Sequence, residues 1–216
     1  MITRYGYDVF FAVTILCIAA IILSLWLIEP KFIRYGIVIL SALLLALNVN
    51  FFRDPERTAP SGDSLVLAPA DGKIIAIRTV VQKEYLDSEA ALISIFMSPL
   101  NVHVNRNPIG GTVGYLRYVE GEFFAAYEDK ASEKNEQMVI GIEGLRGRVL
   151  FKQIAGFVAR RIVCTLKVGD SVRAGERFGM IKFGSRVDIF IPQRATIRAK
   201  VGDVTTAGET VLADLH

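Results

Sequence analysis

Gly184-Ser185, inside the run Phe178-Gly-Met-Ile-Lys-Phe-Gly-Ser-Arg-Val-Asp-Ile-Phe-Ile-Pro192, sets a hydroxyl directly after a residue with no side chain. A serine so placed can attack the carbonyl that precedes it, which would cut the chain between the two residues. Gly-Ser is also an ordinary pair at turns and strand bulges, where glycine supplies backbone freedom. The first reading needs a base, because a hydroxyl at its own pKa is a weak nucleophile. Histidine is scarce, with His103 and the terminal His216 the two present, so a multi-histidine metal site or a zinc peptidase cannot be assembled and no metal is expected. In Met97-Ser-Pro-Leu-Asn-Val-His-Val-Asn-Arg-Asn-Pro108, strand alternation would put Asn101, His103 and Asn105 on one face and Val102 and Val104 on the other. That polar face suits the wall of a site, and a lone strand histidine equally suits a hydrogen-bonded structural role. Asp71, ahead of Gly72 in Leu67-Ala-Pro-Ala-Asp-Gly-Lys-Ile74, reads locally as a turn former. Arg160-Arg161 suits either an anion or a solvated strand edge, and Arg53 and Arg57 suit interfacial anchors.

The elements that must position these residues fall into two kinds. Val9 to Ile28 is twenty residues without a charge. At about 1.5 Å per residue such a helix matches a hydrocarbon core of about 30 Å. A second apolar run covers residues 36–52, so residues 1–52 read as a membrane anchor of two transmembrane helices, about 9–28 and 36–52, joined through Glu29-Pro-Lys-Phe-Ile-Arg34. A signal peptide fits less well: Arg4 is the one basic residue ahead of the run, no small-residue cleavage site follows, and Trp26 marks an interface. Arg4, Arg53 and Arg57 outside the hairpin against Lys31 and Arg34 in its loop favour a cell-membrane protein with its catalytic domain in the cytoplasm. Cys17 and Cys164 read as small buried residues rather than a disulfide framework. A net charge of +3 with no basic run among aromatics argues against nucleic acid and suits an anionic lipid surface.

Residues 53–63, rich in proline and charge, read as a linker, and a β-rich domain follows over residues 64–216. Short β-branched runs at Lys73 to Val81, Ala91 to Met97, Gly111 to Tyr118, Gln137 to Ile142, Val149 to Ile154 and Arg161 to Leu166 predict strands. Lys167-Val-Gly-Asp-Ser-Val-Arg-Ala-Gly-Glu176 and Lys200-Val-Gly-Asp-Val-Thr-Thr-Ala-Gly-Glu209 match at seven of ten positions. Such units resemble the hammerhead turns of biotinyl and lipoyl carrier domains, which implies a mostly β, barrel-sandwich-like soluble domain behind the N-terminal transmembrane helical hairpin. Fold alone does not fix function.

Phe51-Phe-Arg-Asp-Pro-Glu-Arg57, Pro69-Ala-Asp-Gly72, the Ser98-Pro…His103 segment, Asn135-Glu136 and Phe183-Gly-Ser185 occur in the order seen in phosphatidylserine decarboxylases. The chain resembles the short, membrane-anchored form of that family from its second apolar run almost to its end, most specifically over Arg177 to Asp188. The resemblance implies a zymogen that cuts itself at Gly184 and Ser185. The Ser185 hydroxyl would attack the Gly184 carbonyl, and elimination would leave chains of residues 1–184 (beta) and 185–216 (alpha), with Ser185 converted to a pyruvoyl cofactor. The substrate implied is the membrane lipid phosphatidylserine, decarboxylated to phosphatidylethanolamine. His103 is the candidate proton donor and Asp71 the acid that in the family orients a histidine beside the serine. Asn101 and Asn105 are implied to bind the headgroup or position the ring, and Arg160 and Arg186, with Arg53 and Arg57, to contact phosphate or carboxylate. Many family members carry two histidines three residues apart here, whereas this chain has Arg106 at the second position. Either His103 serves both steps or another group activates Ser185. The same chemistry on an ether-linked archaeal phosphatidylserine is one alternative, and a non-enzymatic membrane-anchored carrier or adaptor is another. A homo-oligomer stays open. The carrier reading predicts no self-cleavage, and the tip that would hold a modifiable lysine between methionines reads Phe183-Gly-Ser-Arg186 instead.

Overall fold

The computed structural model describes residues 1–122, 134–156, 161–182 and 185–216, in two compact units, Met1–Pro55 and Glu56–His216. In the first unit, helices α1 (Tyr7–Leu27) and α2 (Lys31–Phe51) are each long and apolar enough to cross a membrane. Pro30 caps α2, and the Arg34 side chain donates to the Ile28 carbonyl at 2.7 Å, satisfying an end of α1 that has no further helical partner. Along the pair, Asn48 Nδ2 of α2 donates to Phe10 O at 3.0 Å and Thr14 Oγ1 at 3.1 Å on α1. Among apolar side chains such a polar cross-link holds helices together, because its groups have no water to turn to. Trp26 and Phe32, at the two inner ends of the hairpin, are 84% and 91% exposed.

Among its described residues the second unit has fourteen strands. They are β1 (Leu65–Leu67), β2 (Gly72–Gln82), β3 (Ser88–Met97), β4 (Val104–Arg106), β5 (Gly111–Val119), β6 (Gln137–Gly144) and β7 (Gly147–Ala155). After these come β8 (Arg161–Cys164), β9 (Ser171–Val172), β10 (Arg177–Lys182), β11 (Ser185–Pro192), β12 (Thr196–Ile197), β13 (Val204–Thr205) and β14 (Val211–Asp214). The principal sheet is antiparallel in the order β13-β2-β3-β11-β7-β6-β5-β9, with three-stranded sheets β1-β14-β12 and β4-β10-β8. The unit is thus mostly β with a curled sheet, behind two apolar N-terminal helices. The expected strand runs are present; β8 ends at Cys164, and beyond it both the amide and the hydroxyl of Thr165 donate to Phe178 O at 2.9 Å.

The order of the principal sheet is palindromic, and its cause is a duplication larger than the visible repeat. Gly208 N donates to Ala68 O and Gly175 N to Asn107 O, both at 2.8 Å. Ile74 N donates to Asp203 O and Val113 N to Asp170 O, both at 2.9 Å. The strand bulges fall at Ile74/Ala76 in β2 and at Val113/Tyr115 in β5, bending both strands at equivalent points. Ala68-Pro-Ala-Asp-Gly72 is therefore the counterpart of Asn107-Pro-Ile-Gly-Gly111, β1 of β4, and β14 of β10. The halves meet at Gly175 and Gly208, with φ +76° and +77°, where a Cβ on Gly208 would lie 3.2 Å from the Gly175 Cα. Glycine is needed there both for backbone angle and for approach.

One apolar core draws on all three sheets, with Val66 and Leu212 from one, Phe178 and Ile181 from another, and Ile93, Ile140, Phe151 and Val187 from the principal sheet. Each such side chain, fully removed from water, contributes about 1.5–3 kcal/mol. The outer face of the principal sheet carries a smaller cluster of Leu86, Ala90, Val139, Leu150 and Phe190. Every second residue of β11 thus serves the main core. The second compact unit begins at Glu56, and Arg57 is tied into it through Asp71.

Candidate active site

Ser185 is the first residue of β11, at the centre of the principal sheet. It pairs with Met97 on β3 and with Ala155 on β7, so it is held from both sides, and it is 0% exposed. Its face is fixed by alternation: Ser185, Val187, Ile189 and Ile191 look toward the main core. The hydroxyl donates to Met97 Sδ at 3.2 Å. A thioether is a weak acceptor and no base, so this is a resting arrangement that holds the hydroxyl without activating it. Gly184 lies outside the described residues.

Polar groups collect around that sulfur. Asn105 Nδ2 reaches Met97 Sδ at 3.8 Å and donates to Pro69 O at 3.3 Å. Gln153 Nε2 donates to Asn105 Oδ1 at 2.9 Å, with Val163 O at 3.4 Å. Asn105 and Gln153 are both 0% exposed. The duplication supplies an internal comparison, since Val66 stands on β1 where Asn105 stands on β4. An apolar residue satisfies the fold at this position, so the amide is there for another reason.

His103 is also 0% exposed, and its Nδ1 lies 2.9 Å from Asn101 O. A carbonyl can only accept, so Nδ1 carries the proton and the lone pair of the neutral ring sits on Nε2. Asn101 positions the ring through its main chain, while its side chain accepts from Ser98 N at 2.9 Å to close the Ser98–Asn101 turn. That turn corrects the expected alternation: the strand is limited to Val104–Arg106, and Val102, His103, Val104 and Asn105 are all buried.

Asp71 is held by Arg57. Arg57 Nη1 bonds Asp71 Oδ1, Arg57 Nη2 donates to Asp71 Oδ2 at 2.8 Å, and Ala207 N donates to Oδ1 at 2.8 Å. The side chains are 7% and 13% exposed, so this bidentate pair is largely out of water. Among the described residues the carboxylate accepts from these groups and not from His103. The loop it belongs to does reach the site, because Pro69 O takes both Asn105 Nδ2 and Arg106 N, the latter at 3.0 Å. Arg106, three residues after His103, donates to Gly175 O at 2.9 Å. A guanidinium does not deprotonate, and here it pins the junction of the two halves.

Arg186 looks to the opposite face of β11 from Ser185. It is 3% exposed, with Nε donating to Asp188 Oδ1 and Nη2 to Ser94 Oγ, both at 2.6 Å. Arg160 lies outside the described residues. The structure thus gathers Ser185, Asn105, Met97 and Gln153, places Asn101 beneath the His103 ring, ties Asp71 to Arg57, and turns Arg186 away from Ser185. Gln153 and Met97 were not anticipated. Gln153 was readable, as the one polar residue on the inward face of β7, in line with Val149, Phe151 and Ala155.

The family described as phosphatidylserine decarboxylase matches residues 44–213. The phosphatidylserine decarboxylase proenzyme of Prosthecochloris aestuarii is 46% identical over 215 residues, covering 100% of this chain and 98% of its own. That of Pelodictyon phaeoclathratiforme is 47% identical over 216 residues, 99% of each chain. That of Chlorobaculum tepidum is 45% identical over 213 residues, 98% of this chain and 96% of its own.

Proposed function

The chain belongs to the phosphatidylserine decarboxylase family, and from that membership we propose that it converts phosphatidylserine to phosphatidylethanolamine and CO2 after cutting itself between Gly184 and Ser185. The observation that carries this reading is the placement of Ser185: a fully buried serine heading the central strand, paired on both sides, among polar groups that its apolar counterpart half does without.

In self-processing, the Ser185 oxygen attacks the Gly184 carbonyl carbon, the Gly184–Ser185 amide bond breaks, and an ester to the serine oxygen forms in its place. Loss of the Ser185 α-proton expels the Gly184 carboxylate from Cβ, and water then releases the nitrogen as ammonia. The new terminus stays at the head of β11, because the residues that follow Ser185 keep their pairing with β3 and β7 on both sides. The surroundings fit such a terminal ketoacyl group, whose oxygens accept: Asn105 Nδ2 shares the weak Met97 Sδ acceptor with the Ser185 hydroxyl and offers an N–H donor beside it. A pyruvoyl group supplies a carbonyl that captures the substrate amine and an electron sink for loss of CO2. His103, with its proton fixed on Nδ1 by Asn101 O, holds a basic Nε2 that takes up a proton and returns it to the carbon that has lost CO2. Asp71 acts in self-processing, as the carboxylate that Arg57 fixes on the loop reaching Asn105. Arg160 is proposed for the anionic part of the headgroup, whereas Arg186 is held by Asp188 on the face of β11 opposite Ser185.

The two apolar helices suit a substrate that never leaves the bilayer, and the charges at Arg4, Arg53 and Arg57 against Lys31 and Arg34 support a cytoplasmic catalytic unit. Detergent-solubilised protein given phosphatidylserine should release CO2 and accumulate phosphatidylethanolamine. Stoichiometric carbonyl labelling without any CO2 release would sink the substrate assignment.

A further inference from the structure

Gln153 is fully buried, yet among the described residues its Oε1 has no hydrogen-bond partner. The orientation of the amide follows from a chain of obligate roles. Pro69 O can only accept, so it takes Asn105 Nδ2 and turns Asn105 Oδ1 toward β7. That oxygen requires a donor, so it takes Gln153 Nε2, which Val163 O also favours. Oε1 is what remains. An acceptor left without a donor in a buried site costs stability, and this one is not needed for the fold. It lies on the Ser185 face of the sheet, since Gln153 pairs with Val187 and Ala155 with Ser185, making Gln153 and Ser185 diagonal neighbours within reach of a long side chain. Asn105, its partner, shares the Met97 sulfur with the Ser185 hydroxyl.

We propose that Gln153 binds the substrate's amine, its Oε1 accepting a hydrogen bond from the headgroup nitrogen that reacts at residue 185. The proposal rests on the function given above and adds the residue that selects and orients the nitrogen. A primary amine brings the N–H donors that this oxygen lacks, whereas the phosphate and carboxylate of the same headgroup bring acceptors and would be repelled by it. Gln153 is therefore a binding residue for the amine end, distinct from groups that handle the anionic end.

Gln153→Met keeps volume and removes both the Oε1 acceptor and the Nε2 donor to Asn105 Oδ1, whereas Gln153→Glu restores the acceptor without that donor, so the contrast between the two reads the acceptor alone. Each full-length variant is assayed for self-cleavage by intact mass, for carbonyl content by hydrazide labelling after denaturation, and for capture of phosphatidylethanolamine in detergent micelles by cyanoborohydride reduction, read as mass gain on the 185–216 chain. Phosphatidylethanolamine carries the amine and no carboxylate, so capture is read without turnover. Gln153→Met should be cut and carbonyl-positive like the parent, should melt no lower than Gln153→Glu, which lacks the same donor, and should capture the amine roughly tenfold or more slowly. Gln153→Glu should recover much of that loss. Parent-like capture by Gln153→Met would overturn the proposal while leaving the decarboxylase reading intact. An uncut but stable Gln153→Met would also overturn it, assigning Oε1 to self-processing. An uncut, carbonyl-negative parent would instead overturn the function on which the proposal rests.

Discussion

Asp71 and Arg57 allow stability and chemistry to be separated. The counterpart loop Asn107-Pro-Ile-Gly-Gly111 makes the same main-chain bonds with Gly110 where Asp71 stands, so the fold does not require an acid there. Asp71→Ala alone removes the carboxylate that takes both ends of the Arg57 guanidinium, a group 7% exposed that also donates to the Ala207 carbonyl at 2.9 Å. Breaking one side of a buried pair costs about 3–5 kcal/mol. For a unit of this size the thermal midpoint falls about 2–4 °C per kcal/mol, so a drop of roughly 6–20 °C is expected. Removing both charges, as Arg57→Met with Asp71→Ala, should restore the midpoint to within about 1 kcal/mol of the parent, because an apolar replacement of a buried pair is often neutral. Self-cleavage, followed by denaturing gel after expression, should stay at least roughly tenfold slower in the double variant, since a carboxylate that orients the proton-transferring group is itself worth orders of magnitude in rate. A double variant that folds and cuts at the parental rate would refute Asp71's part in self-processing. One as unstable as Asp71→Ala would refute the reading of the pair as dispensable to the fold.

Asn105→Val, which copies Val66 of the other half, should fold with a midpoint near the parent's while cleavage or turnover falls at least roughly tenfold. His103→Ala should lose CO2 release whether or not the chain is cut, as measured on phosphatidylserine micelles, and retained turnover would remove His103 from the reaction. Burial pushes the Cys164 thiol above its usual value, so the thiolate is depleted near pH 8 in the folded protein. Iodoacetamide should therefore modify Cys164 slowly in the native state, faster as pH climbs toward the raised value, and rapidly once denaturant returns the thiol to its ordinary range.

Periodicity was enough to read the principal strands and both apolar helices, because β-branched runs and uncharged stretches are local signals. The repeat at Lys167–Glu176 and Lys200–Glu209 was visible in the letters, yet its partner segments at Ala68–Gly72 and Asn107–Gly111 were not. Those segments share little beyond a proline and a glycine, since backbone bonds rather than side chains make them equivalent. Ser185 and His103 were legible as chemistry-bearing types in ordered motifs. The pairing of Arg57 with Asp71 was not legible, because the two stand fourteen positions apart and are brought together only by the fold. Arg186 looked poised beside Ser185 in the chain, but strand alternation sends neighbours to opposite faces.

The central claim is that this chain severs itself at one bond. Intact mass spectrometry of the purified parent beside Ser185→Ala tests it most directly. The parent should give two polypeptides, residues 1–184 and 185–216, the smaller with its N-terminal nitrogen lost and a carbonyl that reacts with hydrazide, while Ser185→Ala should give one full-length chain. A parent that decarboxylates phosphatidylserine as a single uncut chain with an intact serine at 185 would contradict it.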